Sequence, residues 1–140
     1  MTDRLVALGQ SKTDYPMEYD PLVLETFTNP QRHTEYTIEI EAPEFTCLCP
    51  KTGQPDFATI AISYAPADLC VESKSLKLYL FSFRQTGAFH EDVTNKIATD
   101  LYKLLKPLWL QVTGKFNARG GISFWPTVRF DRDSIDPEVL

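Results

Sequence analysis

The sequence predicts an α+β domain built around a mostly antiparallel sheet, and three features of its hydrophobic pattern support this prediction. Two segments in the first half alternate apolar and polar residues, which is typical of half-buried strands. One long segment after them repeats apolar residues at helical spacing, and two further alternating segments follow it. Two strands before the helix and two after it in the sequence favour an α+β fold over one built from alternating β-α units.

Composition narrows the class of protein before any motif is considered. The chain has 140 residues, of which 43% are hydrophobic and 24% charged, so we expect a single globular domain over residues 1–140. Its net charge of -5 argues against a general nucleic-acid-binding protein, which would normally carry a basic face. No apolar run reaches the ~18 residues of a membrane span, and no signal-peptide pattern stands at the N-terminus. A cytoplasmic location is therefore expected.

The first half contains two predicted strands. Residues 1–34 are rich in turn formers and are expected to be irregular. The segment "EYTIEIEA" (35–42) alternates with Tyr36, Ile38 and Ile40 on one face, and 57–65 alternates with Ile60, Ile62 and Tyr64 on one side. The loop between these strands is expected to be about a dozen residues long, which suggests a function for it.

The second half contains the helix and two more strands. The segment 75–84 fits both a strand and a helix, so its pattern leaves the two open. After it, an apolar helical face is formed by Phe89, Val93, Ile97, Leu101, Leu104 and Leu105. Pro107 marks the end of this helix. Strands are predicted at 108–116, with Leu108, Leu110 and Val112 on one side, and at 122–130, where Pro126 interrupts the pattern; the last ten residues look like a polar tail.

Such a sheet would have two uncovered edges. Natural proteins usually cover or pair exposed strand edges, because unpaired backbone groups attract other chains. Self-association is therefore expected.

One segment, "PEFTCLCPKTGQPDF" (43–57), carries two of the three cysteines. Cys49 precedes a proline and a turn, which would display its thiol at a loop, and the nearby Lys51 would favour the thiolate. Asp56 follows at the start of a strand. A thiolate and a carboxylic acid held together suit covalent addition to an unsaturated carbon, in which the acid protonates the heteroatom.

Other roles for these cysteines remain open from the spacing alone. A free cysteine commonly packs as a small buried hydrophobe, and an odd number of cysteines excludes a closed disulfide set. Cys-x-Cys is not the usual zinc clip, and a zinc site would need Cys70, His33 or His90 to complete it.

Two further segments contain candidate binding residues. Glu91 and Asp92 begin the long helix, where acidic residues complement the helix dipole; alternatively, Glu91 accepts paired N–H groups of a ligand, with His90 beside it. Lys74, Lys77 and Arg84 form a basic spot that is either a solvated face or an anion site. Lys115 and the glycines of "RGG" (119–121) offer a second anion contact. No G-x-G-x-x-G is present, so a dinucleotide would not bind in the Rossmann manner.

Together, these segments resemble a known family, the NADPH-dependent 7-cyano-7-deazaguanine reductases, which are nitrile reductases of queuosine biosynthesis. The resemblance covers nearly the whole chain, and it matches the short, single-module form of the family. The segments that carry it are "FTCLCPKTGQPDF" (45–57), "ESKSLKLYLFSFR" (72–84), "FHED" (89–92), "GKFNARGGIS" (114–123), the pair Leu8 and Gly9, and "YDPLVLETFTN" (19–29).

The resemblance implies a tunnelling fold (T-fold), in which β-β-α-α-β-β units with an antiparallel sheet assemble into rings. It favours a helix at 75–84, and it implies active sites between subunits of a homo-oligomer, a decamer of two pentamers in relatives.

The resemblance also implies roles for individual residues. Cys49 is the expected nucleophile that forms a covalent thioimide with the nitrile, Asp56 the acid that protonates the nitrile nitrogen, and His90 their neighbour at the reacting carbon. The remaining expected contacts are with 7-cyano-7-deazaguanine, from Glu72, Ser73, His90 and Glu91, and with NADPH, from Lys74, Ser75, Lys77, Arg119 and Gly120. No resident metal is implied.

The sequence departs from some relatives at one position. They carry a cysteine two residues after the matched glutamate, able to form a disulfide with the nucleophile, whereas this chain has Val93 there. Cys47 receives no role. Two alternatives are a zinc-dependent pterin-type cyclohydrolase of the same fold, which two histidines fit poorly, and a non-catalytic ring-forming scaffold with a structural Cys49.

Overall fold

The computed structural model of the chain describes residues 13–140, in which a four-stranded antiparallel sheet packs against two helices. The strands are β1 (Thr26–Thr28), β2 (Ile38–Leu48), β3 (Pro55–Ala65), β4 (Leu69–Val71), β5 (Trp109–Phe116) and β6 (Thr127–Asp131), and the helices are α1 (Ser73–Phe81) and α2 (His90–Leu105). The main sheet has the order β2-β3-β5-β6, and β1 pairs with β4 in a separate two-stranded sheet. The predicted β-β-α-α-β-β order is confirmed, and the segment 75–84 is helical as far as Phe81, where α1 ends.

The core lies between one face of this sheet and the helices. Ile60, Ile62 and Tyr64 of β3 are buried, as the alternation predicts. The predicted apolar face of α2 is also buried, with Val93, Ile97, Leu101 and Leu105 at most 1% exposed. Helix α2 ends where Pro107 predicts, through Lys106 in the left-handed conformation at φ 47°.

A glycine in β5 lets α2 come close to the sheet. A Cβ atom at Gly114 would lie 2.5 Å from the Thr94 hydroxyl oxygen and 2.8 Å from the Phe116 ring. Both distances are shorter than side chains tolerate, so only glycine fits at this position. The close approach also fixes the start of α2 over the end of β5.

Several predicted boundaries are wrong in informative ways. Strand β2 continues through a bulge between Ala42 and Phe45 to Leu48, so the loop before β3 has six residues (49–54) rather than a dozen. The prolines at 43 and 55 suggested a loop, but a bulge and a strand end accommodate them. The segment 122–126 is not part of a strand, and only 127–131 forms β6. Leu108 precedes β5 and is 39% exposed.

Three other expectations also need correction. The segment 13–34 is not wholly irregular, because β1 pairs with the unpredicted β4. Phe89 precedes α2 and is 55% exposed, so it lies outside the core. The C-terminal residues are not a free polar tail, since the Tyr102 hydroxyl donates to the Ile135 carbonyl and Pro137 is buried.

Residues 1–12 lie outside the part of the chain that the structure describes. The pair Leu8 and Gly9 lies outside the described residues. Among the helices of residues 13–140, none is long and apolar enough to cross a membrane.

Candidate active site

The turn between β2 and β3 holds Cys49 close to Asp56. Cys47 of β2 and Asp56 of β3 are paired across the two strands. Cys49 is the first residue of the loop that joins these strands, so it lies near Asp56. The loop is closed by two backbone hydrogen bonds, from Cys49 N–H to the Gln54 carbonyl (2.8 Å) and from Gly53 N–H to the Cys49 carbonyl (2.9 Å). Gly53 has φ +71°, a conformation that favours glycine. The backbone around the thiol is therefore held on both sides.

A second connection brings the start of α2 to the same place. Leu48 N–H donates to the Thr86 carbonyl, and Ala88 N–H donates to the Leu48 carbonyl. These bonds tie the chain before α2 to the end of β2. As a result, His90 lies next to the hairpin, where its ring stacks on Phe116 with centroids 3.8 Å apart and planes 6° apart.

These elements surround a cavity of about 280 Å³. Its mouth carries three exposed apolar side chains, those of Phe89, Ile122 and Phe124, each between 55% and 59% exposed. The cavity is lined by Cys49, Pro50, Asp56, Phe89, His90, Glu91, Asn117, Arg119, Ile122 and Phe124. A thiol, a carboxylate, an imidazole and an apolar rim thus converge on one small space.

Asp56 is the most enclosed polar group of this cavity. Its side chain is 4% exposed, and its two oxygens have different partners. Oδ1 accepts a hydrogen bond from Arg119 Nη1 at 2.6 Å, while Oδ2 lies 3.4 Å from His90 Nε2. The carboxylate is therefore fixed in position and in rotation about its own axis.

The Cys49 thiol is polarised by the loop that carries it. Cys49 is partly exposed, and hydrogen bonds from the Thr52 hydroxyl, the Thr52 N–H and the Lys51 N–H lower its pKa from 9.0 to about 7. Desolvation and the charge of Asp56 oppose this shift. Lys51 thus acts through its backbone rather than through its ammonium, contrary to the expectation from sequence.

The other two cysteines are buried thiols. Cys47 is fully buried in β2, where burial raises its pKa to about 12, and Cys70 is 2% exposed in β4. All three cysteines are free. In the part of the chain that the structure describes, no cluster of three or more His, Cys, Asp or Glu residues is arranged to hold a metal.

Several predicted binding residues lie elsewhere in the subunit. Glu72 precedes α1 and accepts hydrogen bonds from Lys74 N–H (2.8 Å) and Ser75 N–H (2.7 Å), which lower its pKa. The Ser75 hydroxyl is buried and donates to the Glu72 carbonyl. Its hydrogen bonds make Ser75 part of the helix cap, with no surface left for a ligand.

A larger groove of about 850 Å³ runs between α1 and β2. It is lined by Ser73, Lys77 and Arg84 among mostly apolar residues, and none of its lining residues belongs to the Cys49 cavity. The side chain of Lys74 is exposed nearby on α1. Gly120 lies in a turn, beside Arg119. The fold of the chain therefore brings Cys49, Asp56, His90, Glu91 and Arg119 together, but not the α1 residues.

Sequence reasoning missed several contributions to this site, among them the apolar rim of Phe89, Ile122 and Phe124. It gave no role to Thr52 or Phe116, and it linked Arg119 to the cofactor rather than to Asp56. The threonine had a detectable signal, because a threonine hydroxyl in a turn can bond the backbone two residues on, as Thr52 does with the Gln54 N–H. The contacts of Phe116 and Arg119 depend on long-range pairing and had none.

The chain is similar in sequence to a family model and to named relatives from two bacterial genera. A family model described as "QueF-like protein" matches residues 55–134. The chain is 56% identical over 136 residues to the NADPH-dependent 7-cyano-7-deazaguanine reductase of Streptococcus thermophilus strain ATCC BAA-491 / LMD-9, covering 97% of this chain and 83% of the relative. It is also 56% identical over 133 residues to the enzyme of the same name from Bacillus thuringiensis subsp. konkukian strain 97-27, covering 95% and 81%.

A solved structure matches the fold at low sequence identity. The apo form of the archaeosine synthase QueF-Like has a TM-score of 0.62 and 16% identity, over 66% of this chain and 91% of that chain. The fold is thus the predicted tunnelling fold, with a mixed α+β architecture and antiparallel sheets.

Proposed function

The chain belongs to the family of NADPH-dependent 7-cyano-7-deazaguanine reductases, and we propose that it reduces the nitrile of 7-cyano-7-deazaguanine to an aminomethyl group. The main support for this proposal is that the Cys49 thiol, with a pKa of about 7, and the enclosed Asp56 carboxylate line the same cavity. The product, 7-aminomethyl-7-deazaguanine, would serve queuosine synthesis for tRNA modification. We expect the enzyme to act in the cytoplasm on the free base, without direct contact to nucleic acid.

The first chemical step follows from the positions of Cys49 and Asp56. The Cys49 thiol passes its proton to the Asp56 carboxylate, and the resulting thiolate forms a bond to the nitrile carbon. One π bond of the C≡N group moves its electrons to nitrogen, and Asp56 gives that nitrogen the same proton. The result is a covalent thioimide. Direct hydride addition would build charge on nitrogen in one step, whereas the thioimide route divides the barrier into smaller ones.

The cavity also suits the shape of the base. Its apolar rim of Phe89, Ile122 and Phe124 offers faces for a planar aromatic ring. Glu91 lies at the same opening with an exposed carboxylate. We propose that it accepts the neighbouring amide and amino N–H groups of the base, with His90 beside the reacting carbon.

NADPH, when bound, supplies one hydride to the thioimide carbon and a second to the imine that remains after the C–S bond breaks. The residues present fit its phosphates, because Lys74 and Lys77 carry exposed side chains on α1. Ser75 fits less well, since its hydroxyl and N–H already have partners within the subunit. Four electrons and the accompanying protons convert the nitrile to the primary amine.

We propose that a neighbouring subunit completes the site. Within residues 13–140, β2 and β6 are the edges of the main sheet and have one unpaired side each. Pairing of these edges between copies of the 1–140 module would close a ring, with a decamer of two pentamers as the expected form. The Glu72 and Ser73 of one copy would then approach the Cys49 cavity of the next.

The decisive experiment is intact-mass measurement after incubation with 7-cyano-7-deazaguanine and no NADPH. We expect a mass increase equal to the whole substrate in the unmodified protein and in Cys70→Ala, whose thiol lies outside the cavity. Cys49→Ala should show none. If no adduct forms, and no NADPH is consumed when it is supplied, the proposal is wrong.

A further inference from the structure

Arg119 contacts Asp56 in a way that a cofactor-binding arginine would not need. Its Nη1 atom donates to Asp56 Oδ1 at 2.6 Å, and its Nη2 atom donates to Gln54 Oε1 at 3.2 Å. The two nitrogens thus engage two residues of the hairpin that carries Cys49. This forked contact requires a planar guanidinium, since an ammonium is a single point charge.

The backbone holds Arg119 in place for this contact. Arg119 and Ile122 exchange two backbone hydrogen bonds, of 2.9 and 3.1 Å, around Gly120 and Gly121. Both glycines have positive φ, +60° and +78°, as in a two-residue type I′ hairpin turn. Asn117 N–H donates to the Phe57 carbonyl, which anchors the other end of the segment to β3. Arg119 therefore extends from a tight turn rather than from a long loop.

Arg119 and Asp56 also lie together beside a second cavity. This smaller cavity of about 130 Å³ lies beside the Cys49 cavity, and the two share Asp56, His90, Asn117 and Arg119 in their lining. These four residues therefore border both cavities. The guanidinium compensates the charge of a carboxylate whose side chain is only 4% exposed.

We propose that Arg119 is a positioning residue that aims the Asp56 carboxylate at the nitrile nitrogen. This inference rests on the proposed function of the Cys49 cavity. Arg119 holds the Oδ1 atom of Asp56. The Oδ2 atom, which faces His90, is therefore the one that gives its proton to the nitrile nitrogen. The role differs from the cofactor contact that sequence resemblance implies, because it operates before NADPH is needed.

The rate of adduct formation without NADPH separates the two roles. We expect Arg119→Gln to form the covalent adduct about 10- to 100-fold more slowly, because a misaimed group loses that much rate. Arg119→Lys keeps the positive charge but cannot contact Asp56 and Gln54 through two nitrogens. We expect its rate of adduct formation to lie between those of the unmodified protein and Arg119→Gln. Arg32→Gln is the matched control, since Arg32 pairs with Asp68 at the surface and lies outside both the cavity and the edge strands β2 and β6.

A second reaction distinguishes positioning from general damage to the hairpin. Alkylation of Cys49 by iodoacetamide needs the thiolate but no acid, so its rate should be unchanged in Arg119→Gln. Equal slowing of both reactions would overturn the inference, because it would mean that the thiol itself had moved.

Two other outcomes would also contradict a positioning role for Arg119. An unchanged adduct rate in Arg119→Gln together with a raised KM for NADPH would overturn the inference and leave the residue with a cofactor role. Absence of an adduct in the unmodified protein would overturn the proposed function and this inference with it.

Discussion

Removal of one hydroxyl in the Cys49 loop should change the pH at which the enzyme reacts. The Thr52 hydroxyl makes the largest contribution to the low pKa of Cys49, ahead of the N–H groups of Thr52 and Lys51. It also accepts the Gln54 N–H at 3.3 Å, which leaves its hydrogen free to donate to the sulfur. Thr52→Val keeps the shape of the side chain and removes this donor, together with the acceptor of the Gln54 N–H.

The size of the effect follows from the pKa values. Cys49 titrates at about 7 instead of 9.0, so about half of the thiol is ionised at pH 7, against about 1% for an unperturbed thiol. The Val variant should lie between these limits, because both N–H donors remain. Its rate at pH 7 should therefore fall several-fold and by no more than about 50-fold. A more basic thiolate is intrinsically more nucleophilic, which recovers part of this loss.

The assay is the rate of iodoacetamide alkylation of Cys49 against pH, followed by mass spectrometry of the peptide. The reactive form is the thiolate, so the rate should decline as pH falls through about 7 in the unmodified protein. In Thr52→Val the midpoint should move to higher pH, and near pH 9.5 the variant should equal or exceed the parent. Cys47 and Cys70 are buried and should remain unmodified.

Thr52→Ser provides the matched control, because it retains a hydroxyl at the same position. Its midpoint should stay close to that of the parent. An unchanged midpoint in Thr52→Val would refute the assignment of the hydroxyl as the main donor. A rate that is lower by the same factor at every pH would instead indicate a displaced loop, which also contradicts the reasoning.

Two further predictions concern stability, measured by urea denaturation at a fixed protein concentration. Gly114→Ala should destabilise the fold by about 1–3 kcal/mol, because its Cβ would lie 2.5 Å from the Thr94 hydroxyl; an unchanged midpoint would mean that α2 moves freely. Asp100→Ala should cost about 1–3 kcal/mol, because it strands the buried Tyr79 hydroxyl that donates to Asp100 at 2.6 Å. Tyr79→Phe should cost about 1 kcal/mol, since it leaves no buried donor unpaired, and a larger loss than in Asp100→Ala would contradict this explanation.

The sequence alone determined the order of the main elements. Its alternating segments around Ile60 and Leu110, and its helical face from Val93 to Leu105, are local patterns that record which side of each element is buried. It failed for the strands β1 and β4, which are three residues each and too short to show a period. It also failed at Phe89, because helical spacing cannot tell the last residue before a helix from its first buried turn.

The sequence also singled out Cys49, Asp56 and His90 as one set through motif resemblance, and the structure places all three around one cavity. What only the tertiary structure decided is how these groups are tuned and aimed. Thr52 lowers the pKa of Cys49 through the closure of a six-residue turn, and Arg119 reaches Asp56 across 63 positions of sequence. Such contacts depend on strand register and turn geometry, which are set by the pairing of distant segments and leave no local pattern in the chain.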